Sequence, residues 1–224
     1  MRCHILLCLA LALAVLPCPS AADEAPSGFQ ALFNGKNLDG WKVNHGRESA
    51  WGVDHGLLYT TGEGGGWLMT QKEYSNFEIR LEYKVPAGGN SGVAIRSPLK
   101  GDPAYTGMEI QILDDPWYKD PKNYKGIRNV QLTGSVYGVV PPSTEAVKPA
   151  GEWNTMDITA NGSHVTVVLN GTKIVDADLD RYKKHAKEHP GILRKDGHLG
   201  LQSHTNRVEF RHIYVKELKS ANES

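Results

Sequence analysis

The chain has 224 residues, 25 basic and 25 acidic side chains for a formal net charge of zero, and three cysteines. That balance gives no sign of a nucleic-acid partner or of an anionic membrane surface. Cys3, Cys8 and Cys18 all lie near the start, so the rest of the chain has no disulfide framework, thiol nucleophile or thiolate metal site.

Met1-Arg2 leads into an apolar run from Ile5 to Leu16, broken by Pro17-Cys18-Pro19 and followed by the small residues Ser20-Ala21-Ala22. This pattern predicts a signal peptide over residues 1–22 and a secreted or periplasmic protein. The run is shorter than the ~20 apolar residues of a bilayer span, and no second segment approaches that length, so no membrane insertion is expected. Residues 23–224 suffice for one β domain with a core large enough to hold itself.

Phe29 to Phe33 reads as a short strand ending at Asn34-Gly35, and Ala50–Val53, Asp54-His55-Gly56 and Leu57–Thr60 as a hairpin. The glycine-rich stretch Gly62 to Gly66 has no helix start or Lys-Ser/Thr ending behind it, so it is not a phosphate loop. Phe77 to Val85 alternates apolar and charged residues, as a strand with one wet face does. The same alternation places Val93 and Ile95 inward with Arg96 outward, and Met108, Ile110 and Ile112 inward with Glu109 and Gln111 outward.

Asp114 to Gln131 is irregular and aromatic, and Gly134 to Val140 reads as a strand stopped by Pro141-Pro142. Glu152 to Asp176 predicts a three-strand meander whose two connections carry Asn161-Gly162 and Asn170-Gly171. Both pairs also begin glycosylation sequons, but the turn already calls for them. Leu179 to Glu188 is the one predicted helix, with His185 and His189 on one solvated face. Leu199 to His204 turns Gln202 and His204 outward, and Val208 to Val215 is the last strand. Many short strands with almost no helix predict an all-β, two-sheet jelly-roll sandwich in one domain.

Glu109 and Gln111 share a strand face about 7 Å apart. Arg96, Gln202 and His204 also stand on polar strand faces beside buried neighbours, and their joint appearance points to one ligand cleft. Asn90 adds an amide, and Trp67, Trp117 and Tyr137 are candidates for stacking on a sugar ring, with Trp117 the most exposed of them. Trp41, Trp51 and Trp153 read as core. Asp114 and Asp115 suit three roles: orienting a Lys or Arg, ligating a divalent cation through oxygen, or closing the turn. A conventional glycosidase needs two carboxylates flanking the bond it cleaves, and Gln111 stands where a second acid on this strand belongs.

Five pieces in order carry a family resemblance: Leu32–Trp41 (LFNGKNLDGW), Gly88–Val93 (GGNSGV), Glu109–Asp115 (EIQILDD), Lys148–Asn154 (KPAGEWN), and Gly200-Leu201-Gln202 leading to Val208–Arg211. Together they resemble the 3-keto-disaccharide hydrolase family. Where that family's last piece reads Leu-Gln-Asp-His-Gly, this chain has Ser203 and Thr205 around a retained His204.

The resemblance implies a sandwich like the concanavalin A-like lectins and glucanases, and cleavage of glycosides already oxidised to a ketone at C3. Such a ketone acidifies the C2 hydrogen, so the C1 substituent leaves by elimination and water then adds back. On this basis Glu109 and His204 are base and acid in either order, and Arg96, with or without a divalent cation, holds the enolate oxygen. Gln111, Gln202 and Asn90 bind hydroxyls of a 3-keto sugar or other carbohydrate. A non-catalytic lectin-like module is the rival from another class.

Overall fold

The computed structural model describes residues 25–63 and 65–219. The expected signal peptide lies outside them. Thirteen strands form the domain: β1 (Gln30–Ala31), β2 (Trp41–Gly46), β3 (Trp51–Asp54), β4 (Leu57–Thr60), β5 (Gly66–Tyr74), β6 (Phe77–Lys84), β7 (Asn90–Ser97), β8 (Met108–Leu113), β9 (Asn154–Asn161), β10 (His164–Leu169), β11 (Thr172–Asp178), β12 (Gly197–Gln202) and β13 (Val208–Glu217). One antiparallel sheet runs β11-β10-β9-β6-β13-β4-β3, with β1 also on β13, and the other runs β2-β5-β12-β7-β8. The all-β two-sheet sandwich is the expected architecture.

The core lies between the sheets because alternate residues of each strand point there. Phe77, Ile79, Leu81 and Tyr83 of β6 meet Val93 and Ile95 of β7, Ile110 and Ile112 of β8, and Leu199 and Leu201 of β12. Trp41 and Trp51 join this core, whereas Trp153 lies on the wet face of the larger sheet under Arg211 and Lys84, at 4.2 and 4.9 Å. Among the described residues no helix is long and apolar enough to cross a membrane.

Three local readings are refined. Asn170-Gly171 makes the two-residue turn expected between β10 and β11, with φ of 51° and 82°. At the preceding hairpin Asn161 still pairs with His164, so the turn is Gly162-Ser163 instead. Gly134 to Val140 forms isolated bridges rather than a strand. Its backbone hooks onto the free edge of β8 through Gly134 N to Gln111 O (2.8 Å), Gln111 N to Ser135 O (3.1 Å) and Tyr137 N to Glu109 O (2.9 Å). That cover closes an edge otherwise open to another chain. The predicted helix is a 3-10 segment over Leu179–His185, and two short helices flank β8, α1 (Pro103–Thr106) and α2 (Asp115–Lys119).

Candidate active site

The site occupies the face of the five-stranded sheet turned away from the core. Register carries one row across all five strands, Lys42–Met69–Gly200–Ala94–Glu109. The next row holds Asn44, Trp67 and Gln202 on β2, β5 and β12, with Gly92 and Gln111 on β7 and β8. Small residues hollow the middle of this face. A Cβ on Gly200 would stand 2.3 Å from Met69 Sδ, and one on Gly92 would stand 2.0 Å from Glu109 Oε1. Glu109 therefore lies across the backbone of β7 at the floor of a trough. Ala104 of α1 packs on Trp67, Met69 and Ala94, roofing part of it.

Two clefts open there. The inner one, about 240 Å³, is lined by Asn90, Glu109, Gln111, Tyr105 and Tyr137. The outer one, about 410 Å³, is lined by His45, Trp67, Pro103, Ser203 and three glycines, Gly65, Gly66 and Gly101. Asp102, Gln202 and His204 border both.

Glu109 is 2 % exposed, and burial, with Asp102 adding to it, raises its pKa well above the usual carboxylate range. With its amide turned to satisfy its neighbours, Gln111 donates to Glu109 Oε1 (3.3 Å) and Ser91 O (2.9 Å). His204 follows the end of β12 at the rim, where desolvation lowers its pKa below that of ordinary imidazole. Asn90 Oδ1 and Gln202 Oε1 are buried acceptors with no hydrogen-bond partner among the described residues, as is the donor Asn44 Nδ2. Buried polar atoms ordinarily have partners, so these two acceptors suit ligand hydroxyls.

Arg96 is not in this cleft. Its φ of +48° breaks the strand alternation, and β12 slips register beside it. The fully buried guanidinium instead donates to Ser75 O (2.9 Å), Gly162 O (2.6 Å), Arg194 O and Asn76 Oδ1. It ties the β5–β6 and β9–β10 turns to the end of the smaller sheet. Trp117 is also elsewhere, edge-on to Tyr118 and against Gly88.

Asp114 accepts from Gly88 N (2.9 Å), and Asp115 accepts from Thr133 N (3.0 Å) and Thr133 Oγ1 (2.8 Å). Of the three roles weighed for them, turn closure fits these bonds. Among the described residues no group of three or more His, Cys, Asp or Glu side chains is placed to hold a metal ion.

The sequence reading missed Asp102 and Tyr105. Asp102 caps α1 by accepting from Ala104 N (3.0 Å), and the Asp-Pro pair that starts the helix was its available signal. Tyr105 stands edge-on to Tyr137 and stacks on the buried His189 at 5.1 Å. At the Ser203 departure the hydroxyl bonds Thr60 Oγ1 at 2.5 Å rather than His204. Thr205 faces His204 Nδ1 at 3.4 Å while donating its own hydrogen to Asn206 Oδ1 (2.7 Å). With Nδ1 as the donor to the Thr205 oxygen, Nε2 would be the basic nitrogen.

Comparison with known proteins agrees with this fold. The model of a family described as 3-keto-alpha-glucoside-1,2-lyase-like domains matches residues 28–216. A 3-keto-disaccharide hydrolase of Bacteroides thetaiotaomicron is 28 % identical over 231 residues, covering 85 % of this chain and 79 % of that protein. The crystal structure of a candidate glycosyl hydrolase from Parabacteroides distasonis superposes with a TM-score of 0.73 at 30 % identity, covering 86 % of this chain and 94 % of the other. A carbohydrate-binding module of Bacillus subtilis shares the fold alone, with a TM-score of 0.54 at 12 % identity over 80 % of this chain and 96 % of the other.

Proposed function

Because this chain belongs to the 3-keto-alpha-glucoside-1,2-lyase-like domain family, we propose that it cleaves glycosides bearing a ketone at C3, with His204 as base and Glu109 as acid. One observation carries the assignment. Two titratable groups border the same cleft, and their surroundings push them apart, the carboxyl toward its protonated form and the imidazole toward its neutral form. A neutral imidazole accepts a proton and a protonated carboxyl donates one.

His204 Nε2 takes the C2 hydrogen, and the charge passes to the C3 oxygen as an enolate. The electron pair then forms the C1–C2 double bond, the C1–O bond breaks, and Glu109 protonates the departing oxygen. In the return half, water adds to C1 and loses a proton to the Glu109 carboxylate. The solvent-exposed His204 imidazolium, its proton exchanged with water while the leaving group departs, protonates C2, leaving a 3-keto sugar.

With Arg96 committed elsewhere, the phenol of Tyr137 is the candidate donor to the enolate oxygen. Tyr137 accepts from Gln131 Nε2 (3.0 Å), so its own hydrogen is left to donate. Asn90 and Gln202 accept from sugar hydroxyls through their unpartnered oxygens.

Separate replacement of the two groups tests the assignment. His204→Gln is expected to abolish both C2 hydrogen exchange and cleavage. Glu109→Gln is expected to keep exchange, lose cleavage of alkyl glycosides, and recover it with a nitrophenol leaving group that needs no acid. Full activity of Glu109→Gln on an alkyl substrate would refute the assignment.

A second reading, hydrolysis of unoxidised glycosides, has one observation in its favour, since Asp102 brings a second carboxylate to the cleft that holds Glu109. Its cap to Ala104 N weighs against a base role, and turnover of an unoxidised glycoside would reinstate it. Export through residues 1–22 belongs to the same proposal, and an exported protein starting at Asp23 would support it.

A further inference from the structure

The two clefts differ in chemistry. The inner one has a carboxyl, two amides and two phenols of its own, including the unpartnered Asn90 Oδ1. It matches a ring with a hydroxyl or carbonyl oxygen at nearly every carbon. The outer one has His45, Trp67, Pro103 and Ser203 as side chains of its own, the Ser203 hydroxyl already bonded to Thr60, and the remainder of its own wall is glycine.

Gly66 is imposed by close strand approach. A Cβ on Gly66 would lie 1.7 Å from His45 O, and one on the neighbouring Gly46 would lie 2.1 Å from Gly65 O. The wall is consequently smooth. Asn44 shares the row of Trp67, but its amide nitrogen is buried and it does not line the compartment.

His204, Gln202 and Asp102 stand between the two spaces, so a ring in the inner cleft that presents its C2 hydrogen to His204 can direct its C1 substituent past them into the outer one. Resting on the function proposed above, we infer that the oxidised ring occupies the inner cleft and that the outer cleft is a leaving-group compartment selective for a flat apolar aglycone, such as a phenol, over a second sugar. A second sugar would bring several hydroxyls against Trp67 and Pro103, with only His45 and glycine backbone as partners of the compartment's own that are not already committed, and a hydroxyl buried without a partner is costly. An aryl ring loses nothing there and gains contact with the indole. Trp67 and Pro103 are the specificity-determining residues in this arrangement.

Binding of unreactive 1-thioglucosides tests this without turnover. Both anomers of methyl and phenyl 1-thioglucoside and a thio-linked diglucoside are titrated into the full-length mature protein by calorimetry. The phenyl compound is expected to bind at least tenfold more tightly than the methyl compound, and more tightly than the diglucoside. Trp67→Leu is expected to bring phenyl within threefold of methyl while leaving methyl unchanged, with thermal unfolding confirming a folded variant.

Equal affinity for phenyl and methyl, tightest binding of the diglucoside, or no binding of any compound would overturn the inference. If the phenyl preference holds but no 3-keto glycoside is cleaved, the compartment stands as an apolar subsite and the proposed reaction fails. If 3-keto glycosides are cleaved without that preference, the reaction stands and the compartment assignment fails.

Discussion

Gly92→Ala should disable the enzyme without unfolding it. Gly92 pairs with Gln111 on the neighbouring strand, and its φ is not in the left-handed region, so the backbone accepts alanine. The obstacle is Glu109. The new Cβ would stand 2.0 Å from Glu109 Oε1, 2.7 Å from Cδ and 2.8 Å from Cγ, whereas ordinary contact begins at 3.4 Å.

The flexible carboxyl can yield more readily than two paired strands, and it must move by about 1.4 Å, the difference between 3.4 and 2.0 Å. A displacement of about 1 Å in a reacting group costs roughly 10²-fold, so kcat/KM on a 3-keto alkyl glycoside should fall by about two orders of magnitude. The displaced carboxyl also gains water, which relaxes its raised pKa toward the ordinary value. The alkaline limb of the pH–rate profile, set by loss of the Glu109 proton, should then move to lower pH. Steady-state kinetics across pH, alongside thermal unfolding, reads both effects. A folded Gly92→Ala with kcat/KM within threefold of the parent and an unmoved alkaline limb would refute the placement of Glu109 in catalysis.

Other perturbations separate fold from site. Because the folded-state pKa of Glu109 is raised, its protonated form favours the fold fully below pH ~4.3, and that contribution is lost as pH rises toward the folded value, by up to about 1.4 kcal/mol per unit. Glu109→Gln should therefore unfold at a higher temperature than the parent near pH 7 and at a similar one near pH 4, and the opposite order would contradict the burial argument. Arg96→Met strips buried carbonyls of their donors and should cost about 3 kcal/mol of unfolding free energy, while kcat/KM of the folded fraction stays unchanged. A selective loss of kcat would return Arg96 to the site. Tyr105→Ala should raise KM several-fold while Trp117→Ala leaves it unchanged, and the reverse result would restore Trp117 as the sugar-facing aromatic. Lowered basicity of His204 should carry activity below the ordinary imidazole pKa, and an acid limb above pH ~6.5 would argue against it as base.

The sandwich and its trough were legible because alternation with a period of two fixes which side chains share a face. Glu109, Gln111 and Gln202 stand where that rule put them, and Asn90, Tyr137 and His204 border the same space. Arg96 escaped the rule through its own left-handed φ, and the oxygens that receive its guanidinium, Ser75 O and Gly162 O among them, come from turns distant in sequence. Asp102 and Tyr105 sit on a four-residue helix too short to show periodicity, so only its Asp-Pro start marked it. The choice of Tyr105 over Trp117 depended on which loop folds over the sheet, and no local pattern encodes that.

Deuterium at C2 of the released sugar tests the central claim most directly. Cleavage of a 3-keto glucoside in heavy water, sampled at early conversion beside the unoxidised glucoside, should yield 3-keto-glucose carrying solvent deuterium at C2, with the unoxidised compound intact. Release of product without deuterium at C2, or equal cleavage of both compounds, would contradict elimination through His204 and Glu109.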